Sequence, residues 1–305
     1  MMRKLLPLLI VLVLLIMVAF LLEFPRRKGV SRSEAVLALE SESVASFRIA
    51  QGSSGVTLAK SEQDWLVRGA DRVYPADTGR IHAALEAARQ MTGEIVSVNP
   101  GNQEVFGVDE AGGTKVELRG LKDSLLASVI IGKPDRDFAA TYVRRSISND
   151  VYSIPGFLKS QFRTDLDYWR RRAILSFSQS DLDTLRILYP KASLTFARGA
   201  DGSMILVQPD SAPFDTSSLE EALRTLTSLS ASGFADDKSS EESGLQSPLA
   251  RFVLVMKSGA GDTLLVGGLK DKTYYVGKAG DPITYLVPKG VTERFLKERS
   301  SYLAR

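Results

Sequence analysis

The feature that most constrains this chain is that it repeats itself. When the 305-residue sequence is slid along itself, turn residues and apolar positions coincide together at an offset of 138. Val44, Phe47 and Ile49 fall on Leu182, Leu185 and Ile187, and Val56 and Leu58 fall on Leu194 and Phe196. Pro75, Asp77 and Thr78 fall on Pro213, Asp215 and Thr216, followed by Ile81, Leu85 and Ala88 on Leu219, Leu223 and Leu226. The offset then shrinks only where turns are expected. Gly107 meets Gly244 at 137, Gly132 meets Gly267 at 135, and Tyr142, Tyr152, Pro155 and Phe162 meet Tyr275, Tyr285, Pro288 and Phe295 at 133. A repeat of about 130 residues is a normal domain size, so the duplication predicts two tandem homologous domains.

Each copy reads as α+β. Alternating apolar residues over 44–50 and 56–60, joined by Gln51-Gly52-Ser53-Ser54-Gly55, predict a hairpin, and a third strand around 65–67 extends it. The second copy repeats the pattern over 183–189, 193–198 and 203–207. Asp77 and Asp215 stand as N-caps before stripes spaced i, i+4, i+7, which predicts one long helix per copy packed on the sheet. Further strands are expected over 94–98, 114–118, 126–131, 140–144 and 151–154, with antiparallel pairing. A short terminal helix should follow Pro155 and Pro288. The predicted divisions are an anchor with its flanks over 1–28, a Ser- and Glu-rich tether over 29–43, and repeats over 44–172 and 173–305. The seam falls near Trp169-Arg170-Arg171-Arg172.

Residues 5–22 form an uncharged stretch of 18, broken only by Pro7 in what would be its first helical turn. At about 1.5 Å per residue it covers roughly 27 Å, close to the hydrocarbon thickness of a bilayer. It runs on into Glu23, Phe24 and Pro25 without small residues at a cleavage site, which favours an uncleaved single-pass anchor over a signal peptide. The formal charge of +3 belongs to this segment's flanks. Six of the 39 basic residues and one of the 36 acidic residues lie in 1–32, which leaves 33 basic and 35 acidic residues in the remainder. Such a distribution reads as attraction to lipid headgroups and excludes nucleic acid from the expected partners. Arg3 and Lys4 on one side balance Arg26, Arg27 and Lys28 on the other, so charge does not orient the segment. A short N-terminal tail before a long folded part suits insertion with the bulk outside the cytoplasm. The chain has no cysteine, which removes disulfides, thiolate nucleophiles and lipoprotein acylation.

In its Asp-headed helix over 76–91, its Phe106-Gly107-Val108-Asp109 stretch, the apolar strand ending in Gly132, and Tyr142-Val143-Arg144 followed by Val151-Tyr152, the sequence resembles bacterial domain-of-unknown-function family 4340. The second copy keeps Gly244-Leu245, Pro248, Val266-Gly267 and Tyr275-Val276, with Ser243 in place of the aromatic residue and Gln246 in place of the acid. The resemblance covers nearly the whole chain. It implies an N-terminally anchored protein with a doubled unit, encoded beside gliding-motility-type ABC transporter components, and it carries over no catalytic residue.

Chemistry-bearing combinations are sparse. His82, the only histidine, lies off the apolar stripe of its predicted helix, as expected of a solvated face. One histidine supplies neither a His-rich zinc site nor an independent triad. Gly267-Gly268-Leu269-Lys270-Asp271-Lys272-Thr273 has Asp271 where a phosphate loop needs glycine, so it reads as a charged hairpin turn. Asp135/Asp137, Asp165/Asp167, Asp181/Asp183 and Asp236/Asp237 read as turn and cap residues. Arg144 and Arg145 are expected to face solvent on an edge strand. No catalytic, cofactor or metal residue is predicted. Asp77, Gly107, Gly132, Tyr142, Asp215, Gly244, Gly267 and Tyr275 are instead marked as the structural repeat motif. The expected function is a non-enzymatic, membrane-anchored accessory subunit outside the cytoplasm, with the bilayer, integral-membrane transporter subunits and an envelope polymer as candidate partners. The rival reading is a hydrolase with paired carboxylates in a cleft between the two domains.

Overall fold

A computed structural model describes residues 33–37, 43–62, 64–69, 72–209 and 213–303. The anchor expected over 5–22 and most of the tether lie outside the described residues. Among the described residues no helix is long and apolar enough to cross a membrane. The fold is α+β with mainly antiparallel sheets and few helices, and it divides into two compact units between Arg170 and Arg171.

The first unit opens with β1 (Glu34–Ala35) and the meander β2 (Ser46–Gln51), β3 (Ser54–Lys60), β4 (Trp65–Arg68) and β5 (Val73–Pro75). The helix α1 (Thr78–Arg89) follows, then β6 (Thr92–Ser97), the short α2 (Gln103–Phe106) and β7 (Thr114–Arg119). β8 (Leu125–Pro134), β9 (Ala140–Arg145), β10 (Val151–Pro155) and α3 (Leu166–Trp169) complete it. The ten strands lie in the order β1-β6-β10-β9-β8-β7-β2-β3-β4-β5. Alternation places Phe47, Ile49, Val56, Leu58, Val116 and Leu118 on one face, which α1 covers with Ile81, Ala84, Leu85 and Ala88. Full burial of a side chain such as Ile81 or Leu85 stabilises by roughly 1.5–3 kcal/mol. Phe47 meets Trp65 and Trp169 edge to face at 5.8 and 5.7 Å. Trp169, expected at a linker seam, is thus a core residue, and its indole N–H donates to the Arg163 carbonyl at 2.7 Å.

Two expectations change here. Within the stretch expected to be a tether, β1 pairs with β6, and Val36 and Leu37 are buried in the core, with the Val36 N–H donating to the Met91 carbonyl at 2.8 Å. The strand carrying Arg144 and Arg145 is not at an edge, because β10 and then β6 and β1 pair beyond it. Arg144 is buried, and Arg145 donates to the Tyr152 hydroxyl at 2.8 Å and stacks over its ring.

The second unit contains β11 (Leu182–Tyr189), β12 (Ala192–Arg198), β13 (Met204–Gln208), α4 (Thr216–Leu226) and β14 (Gly233–Phe234). β15 (Ala250–Met256), β16 (Gly261–Lys270), β17 (Thr273–Lys278), β18 (Thr284–Pro288) and α5 (Lys289–Thr292) follow. The sheet order is β13-β12-β11-β15-β16-β17-β18-β14, with α4 burying Leu219, Ala222, Leu223 and Leu226. Phe252 and Phe295 meet edge to face at 5.2 Å, and Phe196 packs against Phe214 and Tyr302.

Candidate functional site

Each unit spends its chemically distinctive residues at two places in the fold. The first is the start of the long helix. Asp77 accepts from the Arg80 N–H at 3.1 Å, and Asp215 accepts from the N–H groups of Ser217 and Ser218 at 3.2 and 3.3 Å. Both thereby satisfy donors that a helix leaves open at its first turn. The side chains of Ser218 and Ser217 hold the Asp215 carboxyl below the usual carboxylate range. The backbone of each cap is pinned in turn, since the Asp77 N–H donates to the Trp169 carbonyl at 2.7 Å and the Asp215 N–H to the Tyr302 carbonyl at 3.0 Å.

The second place is a bulge in the sheet. In the first unit the β8–β9 register shifts between Ile131 and Pro134, and in the second the β16–β17 register shifts between Val266 and Leu269. Gly132 and Gly267 sit in these bulges, where the facing strand steps through Tyr142, between Thr141 and Val143, and through Tyr275, between Tyr274 and Val276. A Cβ on Gly132 would collide with the Phe106 carbonyl oxygen, and one on Gly267 with the Ser243 carbonyl oxygen. Glycine is required because a loop backbone lies directly on the strand. Those loops turn at Gly107 and Gly244, whose φ angles of 65° and 71° are left-handed. The motif residues Gly107, Gly132 and Tyr142 thus come together in one unit and Gly244, Gly267 and Tyr275 in the other, while the two aspartates sit apart at the helix starts.

Around the first bulge, Phe106 meets Tyr142 edge to face at 4.6 Å, and Val108, Ile130 and Val151 form a small second core. Arg144, buried beside it, donates from Nε to the Val108 carbonyl at 3.0 Å and from Nη1 to the Ser148 carbonyl at 3.1 Å, with Glu110 at 3.4 Å. The sequence expectation missed this residue. Its signal was the spacing from Tyr142, since residues i and i+2 of a strand share a face. The second unit has Gly277 at the corresponding place, where a Cβ would press on Leu245 at 3.0 Å.

The remaining candidates have local structural duties. His82 is exposed on α1. Asp165 caps α3 by accepting from the Asp167 N–H, and Asp167 pairs with Arg170 at 3.1 Å. Asp135 accepts from the Ala139 N–H at 2.8 Å, Asp183 accepts from the Thr184 hydroxyl, Asp236 accepts from the Thr284 N–H, and Asp237 faces Lys238. The Lys270–Thr273 segment is the hairpin turn between β16 and β17. Arg170 lies over the Tyr74 ring at 3.7 Å, whereas Arg172 donates to the Ser232 carbonyl. Among the described residues no group of three or more His, Asp or Glu side chains is placed to hold a metal ion.

Open recesses also occur among the described residues. One of about 210 Å³ in the first unit is lined by Gln51, Thr114, Lys159, Phe162, Arg163 and Asp165. One of about 410 Å³ in the second is lined by Leu188, Tyr189, Pro190, Gln246, Pro248 and Arg251. The first is smaller than ordinary small-molecule sites and the second is at their lower end. Burial pushes the Tyr189 hydroxyl up to about 12, and that group is already committed to the Lys297 carbonyl at 2.7 Å.

No curated protein and no solved structure matches the chain. The model of one family, described as a domain of unknown function (DUF4340), matches residues 65–248, more than half of the sequence and parts of both units. The chain belongs to the DUF4340 family.

Proposed function

We propose that this protein is a membrane-anchored accessory subunit, held outside the cytoplasm by residues 5–22, whose two units are tandem copies of one α+β frame that bind partners of a transporter-type envelope complex. The tandem reading is supported by order and register together. The order β13-β12-β11-β15-β16-β17-β18-β14 corresponds strand for strand to β4-β3-β2-β7-β8-β9-β10-β6, with β1 and β5 added at the two edges of the first sheet. Phe47 opposes Leu58 and Leu118, and Leu185 opposes Phe196 and Leu254; Val129 opposes Arg145, and Leu264 opposes Lys278. These pairs follow the offsets that align the sequence, 138 in the first hairpin and 135 and 133 in the later strands, with Leu118 and Leu254 between them at 136.

The observation that carries the functional reading is where the repeated polar and glycine residues go. Asp77, Gly107 and Gly132, like Asp215, Gly244 and Gly267, are spent on caps, turns and close backbone approach. What is duplicated for the outside is sheet surface, on which Arg48 and Arg186 stand exposed at equivalent positions. The bilayer association rests on the uncharged stretch and its basic flanks, and the transporter setting rests on the family resemblance. Affinity purification of the full-length chain from membranes in mild detergent tests the reading. Stoichiometric recovery with an integral-membrane protein is the expected result, and recovery as a lone monomer overturns it.

A further inference from the structure

One end of the first unit's sheet is apolar where the same end of the second is not. The β7–β8 turn presents Leu121, 80% exposed, followed by Leu125 and Leu126, both exposed. The neighbouring β9–β10 turn presents Ile147, 92% exposed, and Val98 stands just beyond the end of β6. These residues form one rim. Ser146 N–H donates to the Ser128 carbonyl and their hydroxyls meet at 2.7 Å, which holds the two turns side by side. Lys122 and Asp123 both take left-handed backbone, with φ of 56° and 62°, at the tip that displays Leu121. Non-glycine residues adopt this conformation at a cost. In the second unit the corresponding turns span 257–260 and 279–283, in which Gly259 and Gly280 supply the positive φ and the large apolar residue, Ile283, is buried.

The direction of the chain identifies the occupant. β1 runs antiparallel to β6, with Glu34 opposite Gly93 and Ala35 opposite Thr92, so the N-terminal end of β1 faces the end of the sheet where β6 finishes and the rim lies. Ten residues, 23–32, separate the uncharged stretch from Ser33, a maximum reach of about 35 Å. Exposed aliphatic side chains clustered on adjacent turns gain by insertion at the boundary between headgroups and acyl chains. We propose that this rim of the first unit rests on the lipid surface beside the anchor, so that the bilayer holds the unit in a fixed attitude. The proposal depends on the anchoring described above.

The absence of cysteine allows a direct test on the full-length protein in phospholipid vesicles. Leu121→Cys, Ile147→Cys and Phe138→Cys each accept a single environment-sensitive fluorophore, Phe138 being an exposed residue in the β8–β9 turn at the opposite end of the sheet. Vesicles carrying nitroxide at a shallow acyl position should quench the probes at 121 and 147 at least threefold and leave the probe at 138 unchanged. Vesicle-bound protein with no quenching at 121 and 147, or with quenching only at 138, overturns the rim contact while leaving the anchor intact. Protein that does not sediment with vesicles overturns the anchor, and the rim contact with it.

Discussion

Each unit lays a loop carbonyl on a bulged glycine, and the two surround that contact with different chemistry. In the first, a buried guanidinium ties the Val108 carbonyl to the turn at 145–148, whereas in the second the arginine is replaced by Gly277 and a leucine, Leu245, fills the space. The frame tolerates either solution because the backbone contact beneath is common to both: a loop carbonyl lying on a bulged glycine. A buried arginine needs several carbonyls at once, and an apolar contact needs only volume. The first unit is therefore expected to be the more easily broken by a single side-chain change, and the common glycine contact the least replaceable feature of either.

The largest effect should come from the shared contact. Gly267→Val forces a branched side chain into the Ser243 carbonyl and is expected to destabilise the second unit by more than about 4 kcal/mol. Gly268→Ala, where the nearest atom lies 3.7 Å away, should cost less than about 1 kcal/mol. Denaturant unfolding of both variants checks the contrast, and similar costs would show that the close approach is not what fixes the loop.

A smaller effect is expected at Arg144. Replacing it by leucine leaves the Val108 and Ser148 carbonyls without this donor and should cost about 2–3 kcal/mol. The pair Val108→Leu with Arg144→Gly carries the second unit's chemistry into the first. If the two solutions are interchangeable, the double variant should be more stable than the sum of its single changes by about 1 kcal/mol or more. Additive costs would mean that the units are alike in path but not in packing.

The smallest effect is expected in the second unit at alkaline pH. Tyr302 donates its hydroxyl to the Phe295 carbonyl at 2.7 Å, and burial raises both it and Tyr189, the latter to about 12. The unfolded chain ionises these phenols near pH 10, before the folded chain does, so the folded state binds more protons above that pH. Their stabilisation is complete below about pH 10 and declines as pH rises toward 12. With Tyr189 discounted for its partial exposure, the decline is on the order of 1–2 kcal/mol for that group. Alkaline titration followed by near-ultraviolet circular dichroism should show Tyr189→Phe flattening this dependence. An unchanged profile would contradict the assignment.

Much of this α+β frame was legible because the internal repeat in the sequence multiplies weak signals. Asp77 alone is one more aspartate before a helix, but Asp77 with Asp215, each followed by the same apolar stripe, predicts the helix and its cap. Gly132 and Gly267 were visible for the same reason, although not the carbonyl that requires them. Arg144 was read as solvent-facing because an adjacent pair of arginines in an alternating strand looks like a solvated edge, and β10, β6 and β1 pairing beyond β9 outweigh that reading. β1 and β5 are too short for any period to appear in them, and Trp169 sits in a four-residue helix beside three arginines, which masks its place in the core. The apolar rim escaped notice because its residues come from three separate segments that only the folded sheet brings to one end.

We propose that the repeated frame is scaffolding and that the working surface is what the sheets expose. Photocrosslinking amino acids at Arg48 and Arg186, exposed equivalents on the two sheets, test it in cells producing the full-length chain. A discrete adduct with a membrane or envelope component from at least one of the two positions is the predicted result. Efficient incorporation, normal membrane retention and no adduct from either position would contradict it.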